Sequence, residues 1–344
     1  MVDWRLARRV ATGIASEPEP RALPADLAEL CADGERRVVA YARLTPAAPL
    51  PAPEAIGRAA WVDANLAAMR GVIEPMAERI AGPPGEGGRL RGAVRDAGGV
   101  AMAVETGVLV GLLGQRVLGQ YEVAPLDPDG PARLLFVVPN LHQAAERMDV
   151  DAASLLRWVA LHEVTHGVQF SAVPWLRGHV AGMLRELLDS LELRVDLREA
   201  ARLATDREAL AAFVARVREK GIVTAVVGPE RRALLARIQA TMALIEGHAE
   251  HVMDAAGADA LPDLAQLREA LDRRRRERPP VMRLLERLLG LEMKLRQYES
   301  GKRFCDAVVA EGGVEALNRA WSSPEALPTA AELDDPAAWV ARTS

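Results

Sequence analysis

Along most of the chain, apolar side chains recur three and four residues apart, the period of helices with one buried face. Trp4, Leu6, Val10 and Ile14 share one side of an N-terminal helix. The segment 15–55 carries Pro18, Pro20, Pro24, Pro46, Pro49, Pro51 and Pro53, and reads as loops around a single helix from Ala25 to Leu44. A helix over Ile56–Ile80 buries Trp61, Leu66, Met69, Val72, Ile73 and Met76, and the GPPGEGG stretch at 82–88 breaks it from the next. That next helix, Leu90 to about Leu118, is built of small residues; Gly107, Gly111 and Gly114 fit close packing against a neighbour. RLLFVV at 133–138, between the turn DPDGP and Pro139-Asn140, is the clearest strand. Asp149-Val-Asp151 then caps a helix from Ala152 to about Phe170. Further helices are expected at 175–190, 229–256, 261–276 and 281–310. His142 falls in a loop, and the proline-spaced tail with Trp321 and Trp339 docks across the surface. A soft boundary near 125–130 separates an N-terminal helical region, 1–125, from a second domain, 126–344, although the two can also form one continuous domain. The expected class is α+β, predominantly helical, with a short β element.

Composition narrows the functions. The chain has 344 residues, half of them apolar, enough for a sizeable core. Its 43 basic and 48 acidic side chains leave a net charge of −5, which argues against nucleic-acid binding by bulk electrostatics. The run Arg273–Arg276 is flanked by Glu269, Asp272 and Glu277 and reads as a solvated helix face. The longest apolar run, Gly99–Leu113, is interrupted by Glu105 and is shorter than the roughly 20 residues of a membrane span. The N-terminus lacks the pattern of a secretory signal, so a soluble, cytoplasmic protein with no membrane partner is expected. Cys31 and Cys305 lie far apart, which excludes a disulfide framework and a thiolate zinc site. A metal site would have to use histidine and carboxylate.

His162-Glu163-Val164-Thr165-His166 is HExxH within an apolar-periodic helix. Residues four apart lie one turn apart on the same face, so His162 and His166 can bind one zinc ion. Glu163 projects beside that ion, where it can act as general base. The competing reading is a histidine pair without metal. A catalytic zinc needs a third protein ligand. His179, thirteen residues on and past Pro174, has no spacing to recommend it. Glu246, in ALIEGHAEHVMD, lies at the edge of a buried helix face, where a carboxylate is costly unless paired or metal-bound. Gly247 beside it leaves room for a facing helix. Glu250, one turn on, could orient His162 or His166 through a ring N–H. Pairing of these carboxylates with arginine is the alternative. Helical geometry turns His248 and His251 away from Glu246, and both read as surface histidines.

HExxH followed by E-G-x-A-E on a later helix resembles the gluzincin branch of the zincin metallopeptidases. More closely, the chain is similar to actinobacterial zincin-like hydrolases associated with deazaflavin-coenzyme biosynthesis. VLGQYEV (117–123), LHEVTHGVQF (161–170), EGHAEHVMD (246–254), RRRRERP (273–279), QYESGKRF (297–304) and LNRAWSSPEALPT (317–329) carry that likeness over most of 56–340. The resemblance implies a zincin-like fold with a metal-binding helix pair and a zinc hydrolase activity. It also implies an aspartate four residues after the third ligand; Glu250 stands there, one methylene longer. Zincins place a strand edge above the metal, and RLLFVV is either that edge or a fully paired interior strand. Tyr298 could donate a hydrogen bond to the substrate oxyanion, against a packing role.

The expected function is a zinc-dependent hydrolase acting on a peptide or amide, with His162, His166 and Glu246 as ligands, Glu163 as base and Tyr298 as a further catalytic candidate. The alternatives are a non-catalytic zincin-like scaffold, with His179 or Tyr298 seated on the metal, and a hydrolase of a non-peptide amide. Substrate and oligomeric state are not legible.

Overall fold

The structure is a computed structural model. It describes residues 2–81, 89–122, 126, 127, 129–190, 206, 229–261, 264–276 and 293–344. Among these, the chain runs α1 (Trp4–Ile14), α2 (Leu27–Ala42), β1 (Pro53–Ile56), α3 (Arg58–Ala81), α4 (Arg89–Gly114), β2 (Gly119–Glu122), β3 (Arg133–Val137), α5 (Val138–Met148), α6 (Ala152–Ala172) and α7 (Pro174–Ser190). It continues through α8 (Pro229–Gly257), α9 (Leu264–Arg276), α10 (Met293–Asn318), α11 (Ala330–Asp334) and α12 (Pro336–Thr343). The protein is therefore predominantly helical α+β, as its periodicity predicts. None of the described helices is long and apolar enough to cross a membrane.

Two compact units emerge, Met1–Ala181 with Met253–Ala270, and Gly182–Val252 with Leu271–Ser344. In the first, α1 lies directly on α4. A Cβ on Gly107 would sit 2.6 Å from the Ala7 carbonyl oxygen, and one on Gly111 would sit 2.8 Å from that of Ala11. The glycines are thus where the two backbones meet, and Ala7, Ala11, Trp61, Val62 and Val110 fill the space around them. Buried Arg58 donates to Asn140 Oδ1 (2.7 Å), the Ser16 carbonyl (2.8 Å) and Gln143 Oε1 (2.9 Å). Asn140 in turn donates to the carbonyls of Gly114 and Val117, so one satisfied polar knot joins α3, α5 and the end of α4.

The sheet order is β1-β3-β2, with β1 parallel and β2 antiparallel to β3. Leu134, Leu135, Phe136 and Val137 are all buried. RLLFVV is therefore the interior strand, paired on both sides, and the substrate-edge reading of it fails. Its unbroken apolar run, with no polar alternation, is the signature of a strand covered on both faces. The chain then turns straight into α5, with Pro139 in the first turn, where a missing N–H costs nothing. His142 accordingly lies on a helix, not a loop, and its Nε2 is 2.7 Å from the Ala22 carbonyl.

Helix α6 starts where expected. Asp151 caps it by accepting from Ser154 N at 2.7 Å. It packs on α2, where Gly34 meets Leu161 and Val164. From Val159 to Gln169 every side chain except His162 is buried.

In the second unit, α8 crosses α10 almost backbone to backbone. A Cβ on Gly247 would lie 2.2 Å from the Gly301 carbonyl carbon, and one on Gly301 would lie 1.9 Å from the Ala243 oxygen. The tail is built into this unit rather than laid on its surface. Trp321 and Trp339 are buried; Trp339 packs edge-on against Phe304 and donates to the Ala326 carbonyl at 2.8 Å. Thr329 and Glu332 form a capping box on α11, and Arg342 pairs with Glu332.

Neither backbone at the α8–α10 crossing is the flexible end of a side chain, so neither can yield cheaply. Gly301→Ala should lower the unfolding free energy by about 2–3 kcal/mol, read as a lower denaturant midpoint. An unchanged midpoint would refute the crossing.

Candidate metal centre

Helix α6 sets His162 and His166 one turn apart, with their rings edge to face at a centroid distance of 4.6 Å. Their Nε2 atoms approach to 3.3 Å. Both Nδ1 atoms point the other way. His166 Nδ1 lies 2.9 Å from Gln169 Oε1, and His162 Nδ1 lies 3.0 Å from Met253 Sδ. An amide oxygen and a thioether can only accept, so each Nδ1 carries the ring hydrogen. In neutral rings each Nε2 then turns a lone pair toward the other. Trp158, one turn earlier, stacks on His162 with the ring planes 2° apart.

Met253 belongs to α8, and two turns before it on the same face of that unbroken helix is Glu246. One ligand atom from each of His162, His166 and Glu246 lies within 4.8 Å of the others. Two nitrogens about 2.0–2.1 Å from a tetrahedral zinc would themselves be about 3.3 Å apart, the separation seen here. Two imidazoles and a carboxylate are also the donor set that suits zinc. These residues could hold that ion.

Glu163 points away from solvent. Its Oε2 accepts from the Tyr121 backbone N–H at 2.7 Å, which satisfies one oxygen of a buried carboxylate. That N–H belongs to β2. Leu118 accepts from Val137 N at 2.9 Å, so by antiparallel alternation the main-chain groups of Gly119 and Tyr121 face away from β3. The carboxylate takes up that outward edge. Gly119 permits the approach, because a Cβ there would sit 2.8 Å from both Glu163 Cγ and Val159 Cγ1. Burial and the Glu163 charge push the Cys31 thiol up to about 12.

Several expectations shift. His248 and His251 are buried, not surface residues. His248 packs edge-on against Trp321, and His251 Nδ1 lies 2.7 Å from Asp306 Oδ1, whose other oxygen accepts from Lys302. The face of α8 away from Glu246 is thus covered as well. His179 packs against Trp175 and is not in the potential metal group. Glu250 is half-buried, one turn beyond Glu246; Gln169 lies at Nδ1 of His166 and Met253 at Nδ1 of His162, the two rings of which Glu250 was expected to orient one. Tyr298 lies on α10, but its side chain is outside the described residues. Sequence reasoning missed Gln169, Met253, Gly119 and the Tyr121 N–H. Gln169 was findable, since three residues after His166 on a helix is contact distance.

The family profile of zincin-like metallopeptidases matches residues 2–340, nearly the whole chain. The chain belongs to the zincin-like metallopeptidases. This zincin-like metallopeptidase is also similar to a crystal structure from Chloroflexus aurantiacus, described as a candidate hydrolase with a novel fold. The two share 29% sequence identity and a TM-score of 0.72, over 99% of this chain and 98% of that one. No curated protein matches the zincin-like chain.

Burial holds Cys31 protonated at ordinary pH and pushes Cys305 further up still. A thiol-specific disulfide reagent at pH 8 should therefore titrate neither cysteine in the native protein and both in denaturant. A rapid native reaction would contradict the burial of the α2–α6 contact or of α10.

Proposed function

We propose that this zincin-like metallopeptidase is a zinc-dependent hydrolase of peptide bonds, with His162, His166 and Glu246 as the metal ligands and Glu163 as the general base. The observation that carries the reading is the convergence of the three ligand atoms within 4.8 Å, with the Glu163 carboxylate on the same helix turn. Bound zinc supplies Lewis acidity and, from water, a nucleophile at neutral pH. The protein's part is positional. Gln169 and Met253 hold the ring hydrogens of His166 and His162 on Nδ1 and keep both Nε2 lone pairs facing inward. The Tyr121 N–H fixes the carboxylate of Glu163, which takes the proton of the attacking water and passes it to the leaving amine nitrogen. Tyr298 is proposed as the hydrogen-bond donor to the oxyanion. Glu250 adds negative charge one turn from Glu246.

Metal analysis by mass spectrometry, together with turnover of a peptide library, tests the assignment. Wild type should carry one zinc per chain. Glu246→Ala should lose most of it, and unchanged occupancy would remove Glu246 as a ligand. Glu163→Gln should keep the zinc and lose about 10²–10⁴-fold in rate. A fully active Glu163→Gln would overturn the mechanism.

A further inference from the structure

Each histidine of the HExxH helix has its outer nitrogen against a neutral acceptor. For His166 the acceptor, Gln169, comes from the same helix. For His162 it comes from α8, the helix that also carries Glu246. Met253 Sδ lies 3.0 Å from His162 Nδ1, and the Met253 side chain is 2% exposed, so the contact is fixed by packing. Trp158 covers the flat face of the same ring. The ring is thereby held in its plane by the indole and about its axis by the sulfur. A thioether can only accept a hydrogen bond, which leaves one tautomer for His162, with the lone pair on Nε2.

We propose that Met253 is a positioning residue for His162, a sulfur acceptor standing where ligand histidines more often meet a carboxylate or carbonyl. One rigid helix then supplies both a ligand, Glu246, and the anchor of another ligand, seven residues and two turns apart. Because the sulfur is neutral, His162 donates less electron density than a carboxylate-bound imidazole would. The charge on a bound divalent cation is correspondingly less offset. The proposal rests on the assignment of His162 as a ligand.

The test is zinc affinity by chelator competition, with visible absorption of the cobalt-loaded full-length protein, for wild type, Met253→Leu and Met253→Gln. Leucine keeps the volume and apolarity of methionine but removes the acceptor. Glutamine keeps the length and supplies a better acceptor. A positioning role predicts about tenfold weaker zinc binding and shifted cobalt bands in Met253→Leu, with both restored in Met253→Gln. A role in packing alone predicts the reverse order, because leucine packs well and a buried amide does not. Zinc binding in Met253→Leu within twofold of wild type, or in Met253→Gln no better than in Met253→Leu, overturns the proposal. Failure of the wild type to bind zinc overturns instead the metal assignment beneath it.

Discussion

Two imidazole lone pairs directed at each other across 3.3 Å repel unless a proton or a cation lies between them, and much of the surrounding structure serves to hold them there. The rings cannot rotate away without breaking the Gln169 and Met253 contacts on their far sides. The helix that bears them is held in place, because its side chains from Val159 to Gln169, His162 apart, are buried, and it packs on α2 and β2. A cation bound there would relieve the repulsion, and the half-buried Glu246 would offset part of its charge. Glu163 turns toward the Tyr121 N–H for a reason of its own. A buried carboxylate beside such a site needs a donor of its own, and an outward-facing strand edge provides one.

Glycine makes these approaches possible at the backbone level. Gly119 lets the Glu163 side chain lie against the strand, and Gly247 with Gly301 lets α8 and α10 meet main chain to main chain. Gly107 and Gly111 do the same for α1 on α4. At all of these positions a methyl group would overlap neighbouring atoms, main-chain ones at every position but Gly119. The close contacts are therefore placed by residues with no side chain, and the chemistry by the residues beside them: Glu246 precedes Gly247, and Tyr121 follows Gly119 by two.

Much of this was legible in the chain. The helix with HExxH was marked at its start by Asp151 and along its length by its apolar period, and both hold. Gly107, Gly111 and Gly247 announced close helix packing because a glycine within a helix is a cost that packing must offset. The strands β1 and β2 were not legible. Each is four residues long, and neither shows an apolar–polar alternation, since β1 is PEAI and β2 is GQYE. The environment of α8 was misread for a different reason. A helical wheel correctly turns His248 and His251 away from Glu246, but it cannot say that Trp321 and Asp306 cover the opposite face. Nor does spacing reveal Met253 as a partner of His162, because that contact joins residues 91 apart in sequence and depends on the tertiary approach of α8.

The central claim is that the two inward-facing imidazoles and one carboxylate form a zinc site that takes no sulfur. X-ray absorption at the zinc edge of the metal-loaded protein tests it most directly. The account predicts only nitrogen and oxygen neighbours at about 2.0–2.1 Å, with the outer-shell scattering of two imidazoles. A sulfur shell at about 2.3 Å, or scattering from fewer than two imidazoles, would contradict it.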